Sequence, residues 1–254
     1  MATPTPTPST DLQQQFAAEG GKPTYVRKMF GRIAHVYDPM NHLMTGGLDA
    51  RWRKFAVRQL ALGADALGLD VGTGTGDLAI AAIKAAGPGT KMIGVDFTPE
   101  MLELGKPKLQ RLGLADRIEL LVGDGEGLNF PDNTFDGVCS AFVMRNLADL
   151  SGGLREQFRV LKPGARMVCL EITHPPGAIF GALFHLYFDR MIPVLGKMVG
   201  KSFESYRYLH QSLAVFPRAP QLKTLMEQMG FINVYYHYLT GGVVAVHVGT
   251  KPHN

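Results

Sequence analysis

Cysteine is scarce: 254 residues carry two, Cys139 and Cys169, each inside an apolar segment, "GVCSAFV" and "MVCLEI". Such a pair offers no disulfide framework and no metal-ligand spacing, so two buried thiols, no metal and a reducing cytoplasmic setting are expected. Long apolar runs are missing as well, since no window reaches the roughly 18 uninterrupted residues of a membrane span. The N-terminus "MATPTPTPST" lacks the basic start and apolar stretch of a signal peptide. Its Pro/Thr composition predicts a disordered tail, taken to residue 23. Dense basic blocks are absent too: 26 basic and 22 acidic residues are scattered to a net charge of +4. That excludes a nucleic-acid arm and supports only a mild attraction to anionic surfaces.

What is present is an apolar content of 46%, enough for one sizeable core, and a single domain over residues 24–254 is expected. From "ALGLDVG" onward, short apolar runs alternate with helical patterns, the rhythm of a parallel sheet. Strands are expected at Leu67–Val71, Met92–Asp96, Ile118–Val122, Gly137–Val143 and Met167–Ile172. Helices are expected at Asp77–Ala86, at Pro99–Leu112 after a Thr98 cap, at Leu150–Leu161 and at Pro220–Met229. The C-terminal "VYYHYLTGGVVAVHVGT" reads as an antiparallel hairpin about Thr-Gly-Gly. Two regions break the rhythm: an N-terminal helical cover (24–60), interrupted at Asp38-Pro39 and Gly46-Gly47, and an insertion (174–217) rich in apolar residues. Both are expected over the sheet's C-terminal edge, where open α/β folds bind ligands.

In "LDVGTGTGDLAI" a strand runs into Gly72, Gly74 and Gly76, then into a helix. Glycines there let the backbone turn tightly and let a ligand approach closely. The spacing is G-x-G-x-G, with Asp77 where a dinucleotide fingerprint has its third glycine. Asp96 ends the second strand at the distance where a carboxylate meets ribose hydroxyls and repels a 2′-phosphate. Asp124 ends the third strand on the same edge. A fourth feature is the stretch "CSAFVMRNLADL", whose apolar strand ends in Arg145 and Asn146. Charged groups are almost never buried unpartnered, so this end is solvated or borders a site.

The G-x-G-x-G loop resembles motif I of class I S-adenosylmethionine-dependent methyltransferases, which implies a Rossmann-like sheet. The stretches "VYDPMNHLMTGG", "GTGTGDL", "PDNTFDGV", "FVMRNLAD", "FRVLKPGARMVCLEIT", "SYRYLHQSLAVFP" and "GFINVYYHYLTGGVVAVHVG" narrow the likeness. From about Phe30 to Gly249 the chain resembles the ubiquinone/menaquinone biosynthesis C-methyltransferase family. The resemblance implies methyl transfer from S-adenosylmethionine to a ring carbon of a polyprenylated quinol. By motif position it implies cofactor contacts at Thr75, Asp96, Asp124 and Gly125, a loop shaped by Gly72 and Gly74, and Ala141 where the family often has serine.

A neutral aromatic carbon is a poor nucleophile, so such a site must hold an ionised quinol hydroxyl and find an acceptor for its proton. Arg145 stays protonated and suits stabilising the phenolate or binding a water. Asn146 suits orienting a quinol oxygen, Tyr37 and Tyr206 offer hydroxyls, and His174 has the pKa for proton transfer. An isoprenoid tail implies transient contact with the membrane surface, and residues 178–199, with Arg190 and Lys197, are the candidate tail tunnel or interfacial segment. A homodimer contact is the other use of that segment. Competing readings keep the fold with another small-molecule or lipid acceptor, or make the chain a non-catalytic scaffold.

Overall fold

The computed structural model describes residues 10–177, 181, 186 and 203–253. In chain order these form α1 (Thr10–Ala18), α2 (Lys22–Thr45), α3 (Leu48–Leu60), β1 (Leu67–Val71), α4 (Asp77–Ala85), β2 (Lys91–Asp96), α5 (Pro99–Arg111), β3 (Ile118–Val122) and β4 (Phe135–Ala141). One 3-10 turn (Met144–Asn146) then leads to α6 (Leu150–Val160), β5 (Leu161–Ile172), α7 (Phe203–Val215), α8 (Ala219–Gln228), β6 (Ile232–Leu239) and β7 (Val244–Thr250). The α/β alternation thus becomes one seven-stranded sheet in the order β3-β2-β1-β4-β5-β7-β6. Strands β1 to β5 run parallel, and β7 enters antiparallel between β5 and β6. From β1 the chain winds outward to β2 and β3, then returns to β4 on β1's other side. The strand order therefore reverses at β1/β4, and the crevice beyond their carboxyl ends is where such sheets take ligands.

Central strands buried on both faces are near-continuous apolar runs. Leu69, Val71, Val138, Cys139 and Cys169 are fully covered, so the two cysteines are free thiols in the core. Burial pushes the Cys169 and Cys139 thiols well above their ordinary pKa, which keeps both protonated. The hairpin forms as expected, with Thr240–Gly242 as its turn.

Four expectations are corrected. Residues 10–18 are helical, although the whole segment to residue 23 was expected to be a disordered tail. Leu12 is 2% exposed there and packs with Tyr25, Val26 and Met29, a long-range contact that composition does not show. Helix α2 runs unbroken through Pro39 instead of stopping at Asp38. Pro39 forfeits one helical hydrogen bond, but buried Met40 on one side and the tethered Asp38 carboxylate on the other hold the helix together. Gly46-Gly47 does end it, at φ of 58° and 78°. Strand β4 stops at Ala141, short of Val143, because Phe142 adopts φ +61° and turns the chain. Strand β5 begins at Leu161, six residues before Met167, since α6 ends there. Of the insertion expected at 174–217, residues 178–180, 182–185 and 187–202 lie outside the described residues, and the tail-tunnel candidate with Arg190 and Lys197 falls among them.

Candidate active site

The loop after β1 is shaped by what it must leave empty. A Cβ at Gly72, where φ is +69°, would lie 2.2 Å from Val143 Cγ2. Only glycine lets the loop pass under the β4 turn. Its amide and that of Thr73 donate to Val95 O at 2.8 and 3.0 Å, which ties the loop to β2. The Gly74 amide donates to Asp96 Oδ2 at 2.8 Å, and Thr98 N donates to Asp96 Oδ1 at 2.8 Å. Asp70, in β1, accepts Thr73 Oγ1 (2.7 Å) and Ala79 N (3.1 Å) on Oδ2. Its Oδ1 is buried without a hydrogen-bond partner among the described residues. Burial lifts the Asp70 pKa to about 7.

These groups wall an open cleft of about 610 Å³, and a second of about 430 Å³ adjoins it through Gly72, Asp96, Phe97, Val143 and Asn146. Asp124 and Gly125 line the second cleft, Tyr37, Thr75 and Ala141 the first. The Asp124 Oδ1 oxygen accepts the Glu126 amide at 2.9 Å.

The end of β4 answers why an arginine follows a buried strand. Arg145 is 8% exposed and donates from Nη1 to Glu171 Oε2 in β5 and to the Phe142 carbonyl, both at 2.8 Å. Glu171 is 1% exposed. Breaking such a pair from one side costs about 3–5 kcal/mol, although the pair itself adds little net stability. Asn146 donates from Nδ2 to the same Phe142 carbonyl at 3.2 Å and accepts Tyr208 OH on Oδ1 at 3.1 Å. The turn is therefore buried, paired and held from both sides.

The N-terminal helices close over this edge. Lys22 Nζ donates to Arg145 O (3.1 Å) and to Leu147 O, and Pro23 lines the second cleft. Desolvation brings the Lys22 pKa down to about 8. Farther along α2, Asp38 Oδ2 accepts Thr75 Oγ1 (2.6 Å) and Lys108 Nζ (3.0 Å), and Lys108 also reaches Asp77 Oδ1 (2.5 Å). Arg53 of α3 lines the first cleft and donates from Nη1 to Asp49 at 2.5 Å, with Asp77 3.7 Å away. Tyr25, Val26 and Met29 pack with Tyr208 of α7 into an apolar seal.

A family model for the ubiE/COQ5 methyltransferase family matches residues 18–251. The ubiquinone/menaquinone biosynthesis C-methyltransferase UbiE of Geotalea daltonii is 40% identical over 226 residues, 89% of this chain and 96% of that one. The demethylmenaquinone methyltransferase of Thermus thermophilus is 43% identical over 224 residues, 88% of this chain and all of that one. The chain belongs to the ubiE/COQ5 methyltransferase family. It is an S-adenosylmethionine-dependent C-methyltransferase. The fold agrees: a Thermotoga maritima S-adenosylmethionine-dependent methyltransferase superposes with a TM-score of 0.61 at 18% identity, covering 88% of this chain and 98% of that one.

Within this ubiE/COQ5 member, the structure gathers most residues singled out from sequence. Gly72, Gly74, Thr75, Asp96, Ala141, Tyr37 and Asn146 wall the first cleft, and Asp124 and Gly125 the second. The Thr75 hydroxyl is already bonded to Asp38, so what it offers a cofactor is its backbone and its surface. Arg145 lies behind the cleft wall, not on it, because a buried guanidinium needs a carboxylate and Glu171 supplies one. His174 stands apart from both clefts with Nε2 3.2 Å from Leu213 O. The side chain of Tyr206 lies outside the described residues, and Tyr208 two positions on is the tyrosine that meets Asn146. Glu171, Asp38, Arg53, Lys108 and Lys22 escaped the sequence reading. Glu171 carried a signal, and so did Asp70, which was likewise not singled out: a carboxylate in an apolar run, "MVCLEI" or "LGLDV", needs a buried partner.

The residues present fit S-adenosylmethionine. The glycine cradle admits a close approach, Asp96 presents to both clefts the kind of acceptor that hydroxyl donors need, and Asp70 Oδ1 is without a donor among the described residues.

Proposed function

We propose that this chain methylates a ring carbon of a polyprenylated quinol, demethylmenaquinol first and 2-polyprenyl-6-methoxy-1,4-benzoquinol second. The observation that carries this reading is the position of Asn146. It lines both clefts, is fixed by Phe142 O and Tyr208, and shares the first cleft with Phe30, Phe97 and Phe142. The names of the relatives described above support the same acceptors.

In this reading Asp96 receives the ribose hydroxyls, and Asp124 and Gly125 face the adenine. Asp70 receives the ammonium of the methionine end, and Arg53 its carboxylate. Among the described residues the guanidinium of Arg53 donates one hydrogen bond, to Asp49, which leaves Nε and Nη2 for an incoming anion. When bound, the cofactor supplies an electrophilic methyl group. Asn146 and Tyr37 orient the quinol hydroxyl, and the phenyl rings exclude water from the ionised oxygen. Burial pushes the Tyr37 pKa upward, so Tyr37 acts as a neutral hydrogen-bond donor. Arg145 acts from behind the wall, through its field and through the turn it holds. His174, bonded near Leu213, is a weaker candidate for the proton than the sequence suggested.

No described helix is long and apolar enough to cross a membrane. We place the chain on the cytoplasmic side, meeting the membrane surface transiently to collect its substrate, and we leave a homodimer as a proposal for sizing experiments. The test is a methyl-transfer assay with labelled S-adenosylmethionine and each quinol in turn, read by mass spectrometry. A mass gain of one methyl on the naphthoquinol is expected. Turnover of some other lipid in extract, with neither quinol methylated, would replace this reading.

A further inference from the structure

We propose that Glu171 is a positioning residue for methyl transfer: its carboxylate holds Arg145 against the Phe142 carbonyl and thereby sets where Asn146 meets the acceptor hydroxyl. The proposal rests on the quinol reading above.

Stability alone does not account for this carboxylate. A buried ion pair is often no more stabilising than well-packed apolar residues of the same volume. Glu171 sits among Leu170, Ile172 and the β7 strand, with Ala245 opposite it in register. One of its oxygens, Oε2, accepts Arg145 Nη1 at 2.8 Å and the Ile172 amide at 3.2 Å. The other, Oε1, is buried with no hydrogen-bond partner among the described residues, as is Arg145 Nε. A pair left half satisfied in a core is over-determined by something other than its own energy.

That something is the Phe142 turn. Phe142 is a bulky residue at φ +61°, a conformation that persists only where surrounding contacts enforce it. Its carbonyl accepts both Arg145 Nη1 and Asn146 Nδ2. Glu171 thus fixes Arg145, Arg145 helps fix the carbonyl, and the carbonyl helps fix Asn146 on the cleft wall. Charge follows the same route. Arg145 carries a cation whose field reaches Tyr37 of α2 and Tyr208 of α7, and Glu171 offsets it before any acceptor ionises. Among the described residues the other charged or titratable groups around the pair are Cys169 on β5 and Lys22 of α2, the latter bonded to the Arg145 carbonyl. Burial raises the Glu171 pKa against the pull of Arg145, consistent with a carboxylate placed for a task.

Two variants of the full chain separate geometry from charge, assayed with demethylmenaquinol in detergent and saturating S-adenosylmethionine. Glu171→Asp keeps the charge and draws Arg145 back. A displacement of that order costs about 10- to 100-fold in kcat, with affinity for S-adenosylhomocysteine within about twofold and the pH profile unmoved. Glu171→Gln keeps the length and loses the charge. An uncompensated Arg145 then favours the ionised hydroxyl, and the acidic limb of kcat moves to lower pH. A purely structural role predicts lost activity that tracks the folded fraction in thermal melts, with a wild-type profile in the remainder, and that result overturns the proposal. So does wild-type turnover and profile in either folded variant. If Glu171→Asp fails to fold, Glu171→Gln decides alone. A wild-type chain that binds S-adenosylhomocysteine and methylates neither quinol overturns the quinol reading, and this proposal with it.

Discussion

The cofactor end and the acceptor end of the site are assembled differently. At the proposed cofactor end most partners of the carboxylates are near in sequence: the Thr98 amide holds Asp96, the Glu126 amide Asp124, and the Thr73 hydroxyl and Ala79 amide Asp70, while the Gly74 amide reaches Asp96 from 22 residues away. At the acceptor end the partners are remote in sequence. Lys22 reaches Arg145 O, Arg145 reaches Glu171, and Tyr208 reaches Asn146. The first end is a property of strand-to-helix turns and forms wherever such a sheet forms. The second exists only once the N-terminal cover, the β4 turn and α7 have docked. Recognition of the cofactor should therefore depend less on the cover than turnover does.

The largest effect should come from the cofactor end. Asp96→Ala removes the acceptor proposed for the ribose hydroxyls and orphans the Gly74 and Thr98 amides. Charged hydrogen bonds are each worth about 1.5–3 kcal/mol, so calorimetry should show S-adenosylhomocysteine binding weakened by about 100-fold. Wild-type affinity in this variant would remove the basis of the comparison. Next in size is the cover. Asp38→Ala cuts α2 from Thr75 and Lys108 together. The expected outcome is a drop of about tenfold in kcat/KM for the quinol, the size of one lost hydrogen bond to a charged group. Cofactor affinity should change far less. Equal losses in both would show that the two ends are one unit.

That difference also explains what could be read before folding. The glycine loop, Asp96, Asp124 and the five parallel strands were legible because strand periodicity and short spacings encode them. The Arg145-Asn146 pair was legible as an anomaly, a charge at the end of a buried run. Its partner was not, since nothing local links residue 145 to residue 171. Pro39 misled for the same reason: a local rule predicts a helix break, and tertiary contacts of Met40 and Asp38 override it. The helix at 10–18 was invisible because Leu12 is buried against residues far along the chain.

A smaller and more selective effect should appear at Arg53. If its free N–H groups receive the methionine carboxylate, Arg53→Met should weaken S-adenosylhomocysteine by about fivefold, within the range of a single partly solvated ionic hydrogen bond. Binding of 5′-methylthioadenosine, which has no amino-acid end, should stay unchanged. Equal loss of both ligands would return Arg53 to a structural role alongside Asp49.

The smallest effect on either end should come from a titratable group that lines neither cleft. His247 in β7 is 1% exposed, its Nε2 lies 2.9 Å from Ala219 O, and burial lowers its pKa to about 4. The folded chain keeps it neutral where the unfolded chain, with a histidine pKa near 6.5, takes up a proton. Between about pH 6.5 and 4 the unfolded state therefore binds more protons, and stability falls as pH falls, by at most about 1.4 kcal/mol per pH unit. Above pH 6.5 the group contributes no slope. His247→Gln can still donate to Ala219 O and cannot titrate, so denaturant unfolding at pH 7 and pH 5 should show a smaller acid loss in the variant than in the parent. At pH 7 its kcat and its affinity for S-adenosylhomocysteine should match the parent, because neither cleft includes a residue of β7. A change in turnover at pH 7 would mean that the antiparallel edge of the sheet communicates with the site, and that the division into two ends omits a third part.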